Sequence, residues 1–148
     1  MIIGIDPGAK GAIGMLYPDG TGYVEDMPMF GKEVNGAALT EIFEEFRPSH
    51  VYFEQVNSFG MGRTSAFTFG QGCGVVKGVL SALLIPYTMV TPQKWKKAYP
   101  GLDSDKDKSR MMATRIWPEI STRFKRKKDD GRAEALLIAK WGKDNERV

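Results

Sequence analysis

The chain has 148 residues, 42% hydrophobic and 26% charged, with a net charge of +3, which suits one domain over residues 1–148 with its own core. Its single cysteine excludes an intramolecular disulfide framework and points to a reducing compartment. No apolar run approaches the ~20 residues of a membrane span and no signal peptide is recognisable, so the expected setting is the cytoplasm, with no membrane partner.

Charge is uneven along the chain. Residues 1–90 hold five Lys and Arg against nine Asp and Glu, whereas residues 91–148 hold sixteen against nine. A basic second half suits a polyanion such as nucleic acid, although a basic surface can also be merely solvated.

In chain order, Ile2-Ile3-Gly4-Ile5 predicts a buried strand over residues 2–6 that ends on Asp6. Pro7-Gly8 turns the chain into a hairpin partner over 9–17, and Pro18-Asp19-Gly20 into a third strand over 21–27. Together these make an antiparallel meander. Gly8, Gly11 and Gly14 are expected to keep the hairpin slim, leaving room for a metal, a ligand or a scissile backbone. Residues 30–35 read as loop. Asn35 or Gly36 opens a helix whose Leu39, Ile42, Phe43 and Phe46 fall at helical spacing, and Pro48 stops it. Val51-Tyr52-Phe53 then forms a short strand that delivers Glu54, repeating the arrangement at Asp6.

Residues 55–63 read as a polar, glycine-rich loop carrying Phe59 and Met61. Thr64 or Ser65 is the expected cap of a long helix reaching Leu83. Its Gly70, Gly72, Gly74 and Gly78 predict close packing on a neighbour, since a glycine inside a helix costs about 1 kcal/mol relative to alanine. A strand over 85–90 follows, and this alternation of helix and strand adds parallel strands to the meander, an α/β arrangement. Thr91-Pro92 starts a helix that carries Lys94, Trp95, Lys96 and Lys97. Residues 100–107 read as loop, and Ser104 or Asp105 starts a helix that Pro118 closes. The basic run Arg123-Phe124-Lys125-Arg126-Lys127-Lys128 leads to a last helix over about 129–142.

Asp6 and Glu54 end two strands expected to be neighbours, and Asp130 and Glu134, four apart, share one helix face. A buried carboxylate is unfavourable without a partner, and a like-charged pair on one helix face more so. Singly, each acid is as readily a turn or capping residue, and the helix pair could merely complement an N-terminal dipole. The ordered set of strand acid, strand acid and helix acid pair is far more specific. Four carboxylates without a histidine cluster suit Mg²⁺, with Mn²⁺ as a substitute, rather than zinc. Two such ions about 4 Å apart can activate a water and stabilise the leaving oxygen in phosphodiester hydrolysis. His50, the only histidine, reads as structural, and a Cys73–His50 nucleophile pair is not supported. The basic second half would bind a phosphate backbone in a salt-sensitive way.

The segments Ile3-Gly4-Ile5-Asp6-Pro7-Gly8, Phe53-Glu54 and Gly131-Arg132-Ala133-Glu134-Ala135-Leu136-Leu137-Ile138-Ala139 resemble the RuvC family of Holliday junction resolvases, in its bacteriophage form, within the ribonuclease H-like superfamily. The match runs in order over nearly the whole chain. The resemblance implies a mixed five-stranded sheet (antiparallel meander plus parallel strands) flanked by helices, and a homodimer. It also implies Mg²⁺-dependent nicking of four-way junctions and other branched DNA, in the host cytoplasm for a phage-encoded chain. Asp6, Glu54 and Glu134 fall at three of the family acids. The fourth stands three residues before the last in bacterial members, which is Gly131 here, so Asp130 takes the role, with Asp129 as the fallback. Phe59 resembles a junction-probing aromatic, and Arg63 ends the same loop. Lys106 and Lys108 resemble DNA-contacting residues, to which Lys94 and Lys97 are added from the preceding helix. Two other readings stand beside this one. Asp6-Pro7-Gly8-Ala9-Lys10-Gly11 also resembles the phosphate loop of ATP-binding actin and sugar-kinase relatives, which need two such domains. A branched-DNA-binding module that has lost cleavage is the other.

Overall fold

A computed structural model describes residues 1–102 and 106–145. Ser104 and Asp105, the expected start of the fourth helix, lie outside the described residues, as does the side chain of Lys106. The strands are β1 (Ile2–Asp6), β2 (Ala12–Leu16), β3 (Gly22–Asp26), β4 (Met29–Phe30), β5 (Glu33–Val34), β6 (His50–Glu54) and β7 (Tyr87–Val90). The helices are α1 (Gly36–Phe46), α2 (Arg63–Ala82), α3 (Pro92–Lys96), α4 (Lys106–Ile116) and α5 (Asp130–Asn145).

Five strands form one sheet in the order β3-β2-β1-β6-β7. The meander β1–β2–β3 is antiparallel, and β6 and β7 add in parallel on the other side of β1. This is the mixed sheet of the ribonuclease H-like fold. The strand pleat then divides the core in two. Ile3, Ile5, Ile13, Met15, Val51 and Phe53 face Leu39 and Phe43 of α1 and Val76 and Leu80 of α2. Leu16, Val24 and Tyr52 face α5, together with Trp95, Trp117 and Phe124.

Most element boundaries follow from local signals. The Asn35 side chain accepts the Ala38 amide at 3.1 Å and caps α1, and Thr91 caps α3 ahead of Pro92. Four expectations need correction. Residues 30–35 are not loop throughout, since β4 and β5 pair across a turn at Gly31. Helix α2 is capped by Gly62 without a side-chain hydrogen bond, and Thr64 and Ser65 lie within its first turn. Asp107, expected in a loop, lies inside α4. The glycines of α2 do not mark close packing as a group. A Cβ on Gly72 would stand 3.0 Å from Val34, but one on Gly70, Gly74 or Gly78 would meet nothing within 4 Å.

Two glycines of the hairpin, Gly11 and Gly14, also serve a different purpose from the expected one. Gly4 and Gly14 are register partners in β1 and β2 and both lie under α5. A Cβ on Gly4 would fall 2.1 Å from the Ala135 carbonyl oxygen, and one on Gly14 2.5 Å from the Leu136 amide nitrogen. Their missing side chains admit the backbone of α5, not a ligand. Gly11 closes the turn, for a Cβ there would overlap the Asp6 carbonyl at 2.0 Å.

Candidate active site

Because β1 and β6 are parallel neighbours with Ile5 opposite Phe53, Asp6 and Glu54 emerge side by side at the same end of the sheet. Pleat parity puts Asp6 on the face of Gly4, which is the face that α5 covers. The glycine-paired approach then lowers α5 until Glu134, one turn into the helix, reaches both acids. Ligand oxygens of Asp6, Glu54 and Glu134 lie within 4.8 Å of one another. Among the described residues this is the one such group of three or more metal-type ligands.

The cluster is costly to hold as three anions. Glu54 and Glu134 are buried, at 5% and 7% exposure, and Asp6 is half-buried. Burial pushes the Asp6 carboxyl well above its usual range, and the charges of Glu134, Glu54 and Asp130 push it the same way. A hydrogen bond shared with Glu54 adds to the shift. Asp130 therefore lies within electrostatic reach of Asp6, as the first residue of α5.

The fold supplies partial compensation from its own side chains. The Trp95 indole N–H donates to Glu54 Oε2 at 2.6 Å, with both groups buried. Lys96 Nζ stands 3.9 Å from Glu134 Oε1, and the Ser109 hydroxyl makes a long 3.4 Å contact to the same oxygen. Neither Trp95 nor Ser109 stood out in the sequence as a site residue. Trp95 had a readable signal, because a buried indole needs an acceptor and α3 follows the strand beside Glu54. Ser109 had none, since a serine on a basic helix carries no pattern.

Asp129 faces elsewhere. It accepts from the Arg126 amide at 2.9 Å and from its guanidinium, and Arg132 Nη1 stands 3.4 Å away. Burial alone would raise its pKa, but the hydrogen bonds from Arg126 and the charge of Arg132 outweigh this and hold it below the usual range. Gly131, the position of the fourth acid in the resemblance, sits against the β1–β2 turn. A Cβ there would lie 2.8 Å from the Lys10 carbonyl and 3.0 Å from Asp6 Oδ2. The start of α5 and the β1–β2 turn are thus in contact, with no room for a side chain between them.

The candidate DNA contacts are spread more widely. Phe59 is 93% exposed in the loop after β6, so it anchors no core, and Arg63 is exposed at the start of α2. Lys94 lies over the Trp141 ring at 5.5 Å, Lys97 is exposed at the end of α3, and Lys108 is exposed on α4. His50 Nε2 hydrogen-bonds the Thr88 hydroxyl, a tie between β6 and β7.

Three hard-oxygen donors gathered at one point, with no histidine or cysteine among them, fit a divalent cation such as Mg²⁺ or Mn²⁺. No protein-family model and no curated protein sequence matches the chain. Solved structures do resemble it. The Thermus thermophilus RuvC in complex with a Holliday junction substrate is similar at a TM-score of 0.71 and 22% identity, over 96% of this chain and 92% of that one. A second Thermus thermophilus RuvC structure gives 0.66 and 19%, over 97% and 95%. The yeast mitochondrial Holliday junction resolvase gives 0.56 and 16%, over 95% and 76%. The chain therefore has the fold of the RuvC-type resolvases.

Proposed function

We propose that this protein is a Mg²⁺-dependent, structure-selective endonuclease that nicks and resolves four-way junctions and other branched DNA. The observation that carries the reading is the Asp6–Glu54–Glu134 cluster, standing at one end of the sheet of a resolvase-type fold. Asp6, Glu54 and Glu134 would hold divalent metal, with Asp130 the fourth acid in preference to Asp129, whose carboxylate is engaged by Arg126 and Arg132. Bound metal would supply an activated water and stabilise the leaving oxygen, as in other two-metal hydrolases. The chain's own residues do the remaining work. Trp95 fixes one oxygen of Glu54, so that its other oxygen points to a defined place. Lys96 offsets the charge of Glu134 and would offer a donor to a phosphate brought to the cluster.

Phe59 is free to stack on unpaired bases at a branch point, and Arg63, Lys94, Lys97, Lys106 and Lys108 are the proposed backbone contacts. A homodimer would pair two active sites on a symmetric junction. The open face of α2, with Gly70, Gly74 and Gly78 one helical turn apart and the exposed Phe67 beside them, suits a second copy of that helix. No helix among the described residues is long and apolar enough to cross a membrane, and the cytoplasm is the proposed setting.

The decisive test is cleavage of labelled four-way junctions against linear duplex, with Mg²⁺ or EDTA. The expected result is Mg²⁺-dependent cutting of the junction alone, lost in Glu134→Gln while junction binding persists. Cutting that survives both Glu134→Gln and Asp6→Asn would overturn the site. Thermal stabilisation by ATP–Mg²⁺ without any by junction DNA would instead favour the phosphate-loop reading.

A further inference from the structure

The basic run before α5 and the lysine of the β1–β2 turn come from distant parts of the chain, yet they border one groove. It is lined by Lys10 and Gly11 of the β1–β2 turn, by residues 126–130, and by Asp26 and Arg132. The charges in it sort into two groups. Arg132 is 9% exposed and bidentate on Asp26, at 2.7 and 2.9 Å, and it also faces Asp129. Arg126 closes on Asp129 as well, at 2.9 Å. Two arginines and two aspartates therefore neutralise each other within the groove. Lys10, Lys127 and Lys128 remain on the rim, all exposed. The side chains of Lys10 and Lys128 make no hydrogen bond or ion pair among the described residues, and Lys127 acts electrostatically on Asp107, which Arg110 already pairs.

The groove has a direction. Asp130 lines the groove and acts electrostatically on Asp6, so that end of the groove lies toward the carboxylate cluster. It lies on the β2–β3 side of β1, whereas Lys96 and the other cations of α3 approach from the β6–β7 side. We propose that this groove is a second phosphodiester-binding track, in which Lys10, Lys127 and Lys128 hold the DNA strand as it passes the carboxylates on the side away from α3. The strand is then gripped on both sides of the reacting phosphate. This would offset the repulsion between its backbone and the acidic cluster. The inference rests on the nuclease reading for the identity of the polyanion.

The test measures binding of a fluorescent four-way junction to the full chain carrying Asp6→Asn, in EDTA, over a range of salt concentrations. Adding Lys10→Ala, Lys127→Ala and Lys128→Ala should weaken binding on the order of tenfold or more at low salt. It should also flatten the salt dependence by about one unit of slope per lost phosphate contact. Lys143→Ala, at the far end of α5, is compared with each lysine replaced singly as a one-charge control and should change neither. Melting curves confirm that the exposed lysines leave the fold intact. Binding and salt slope equal to the control would overturn the track while leaving cleavage by the parent chain, and so the nuclease reading, in place. A parent that neither binds nor cuts junctions overturns both.

Discussion

The two faces of the central sheet are built on opposite principles. The α1–α2 face is an aliphatic core in which Ile3, Ile5, Met15, Phe53 and Leu80 meet side chain to side chain. The α5 face brings backbone to backbone at Gly4 and Gly14 and buries ionisable groups at its edge. Both faces carry a hydrophobic core, that of α5 being built around Tyr52, Trp95, Trp117 and Phe124. The second also holds a cluster of like charges, because only a helix pressed onto the strands can bring Glu134 to Asp6 and Glu54.

The sharpest way to break the comparison is to add a side chain where α5 lies on β1. Gly4→Val would drive a branched side chain into the backbone of α5, 2.1 Å from the Ala135 carbonyl, with no flexible group able to yield. Overpacking of this kind costs 1–3 kcal/mol where a core can adjust. Against rigid backbone the expected loss is about 5 kcal/mol or failure to fold, read by chemical denaturation. Leu80→Ala on the other face should cost roughly 3 kcal/mol, the usual penalty for a buried leucine, and leave the carboxylates in place. A loss of junction cleavage from Leu80→Ala beyond its loss of folded protein would show that the two faces are coupled.

Asp6→Asn sharpens the contrast with an effect of opposite sign. The raised pKa of Asp6 means that its ionised form is disfavoured in the folded state. Stability without metal therefore falls as pH climbs from the unfolded-state pKa through the higher folded one, and acidification restores it. The variant should melt about 3 °C higher than the parent in EDTA near neutral pH, a shift on the order of 1 kcal/mol for this length. It should also lose most of that pH dependence, and all cleavage. Equal melting points at every pH would show that the cluster stores no repulsion.

Trp95→Phe should cost folding about 2 kcal/mol, less than Leu80→Ala, since it removes one ring of a buried indole and the donor to the Glu54 carboxylate. Its clearer sign is a metal titration followed by calorimetry, with affinity expected to fall about tenfold. An unchanged titration would reduce Trp95 to a packing residue.

Much of this was legible in the chain because the signals are local. The strand ending on Asp6, the Asn35 and Thr91 caps and the apolar spacing of α1 need only neighbouring residues to be read. The order of acids also carried over into space, since parallel register sets Asp6 beside Glu54 and one helical turn relates Asp130 to Glu134. The glycines were misread because a missing side chain says only that something comes close, not what. At Gly14 it is a helix, at Gly11 the turn itself, and at Gly74 nothing in this chain. The β4–β5 pair escaped notice because two-residue strands have no periodicity to detect.

The sequence by itself determined the sheet order's raw material, the kinds of residue at the strand ends, and a donor set made of oxygen alone. These depend on side-chain chemistry and short-range spacing. Only the tertiary structure decided which acids share a point in space, that Asp129 is tied to Arg126 and Arg132, and that Trp95 and Lys96 support the cluster. Those outcomes depend on how far α5 sinks onto β1 and β2, a distance set by contacts between residues about 130 positions apart. No local pattern encodes it.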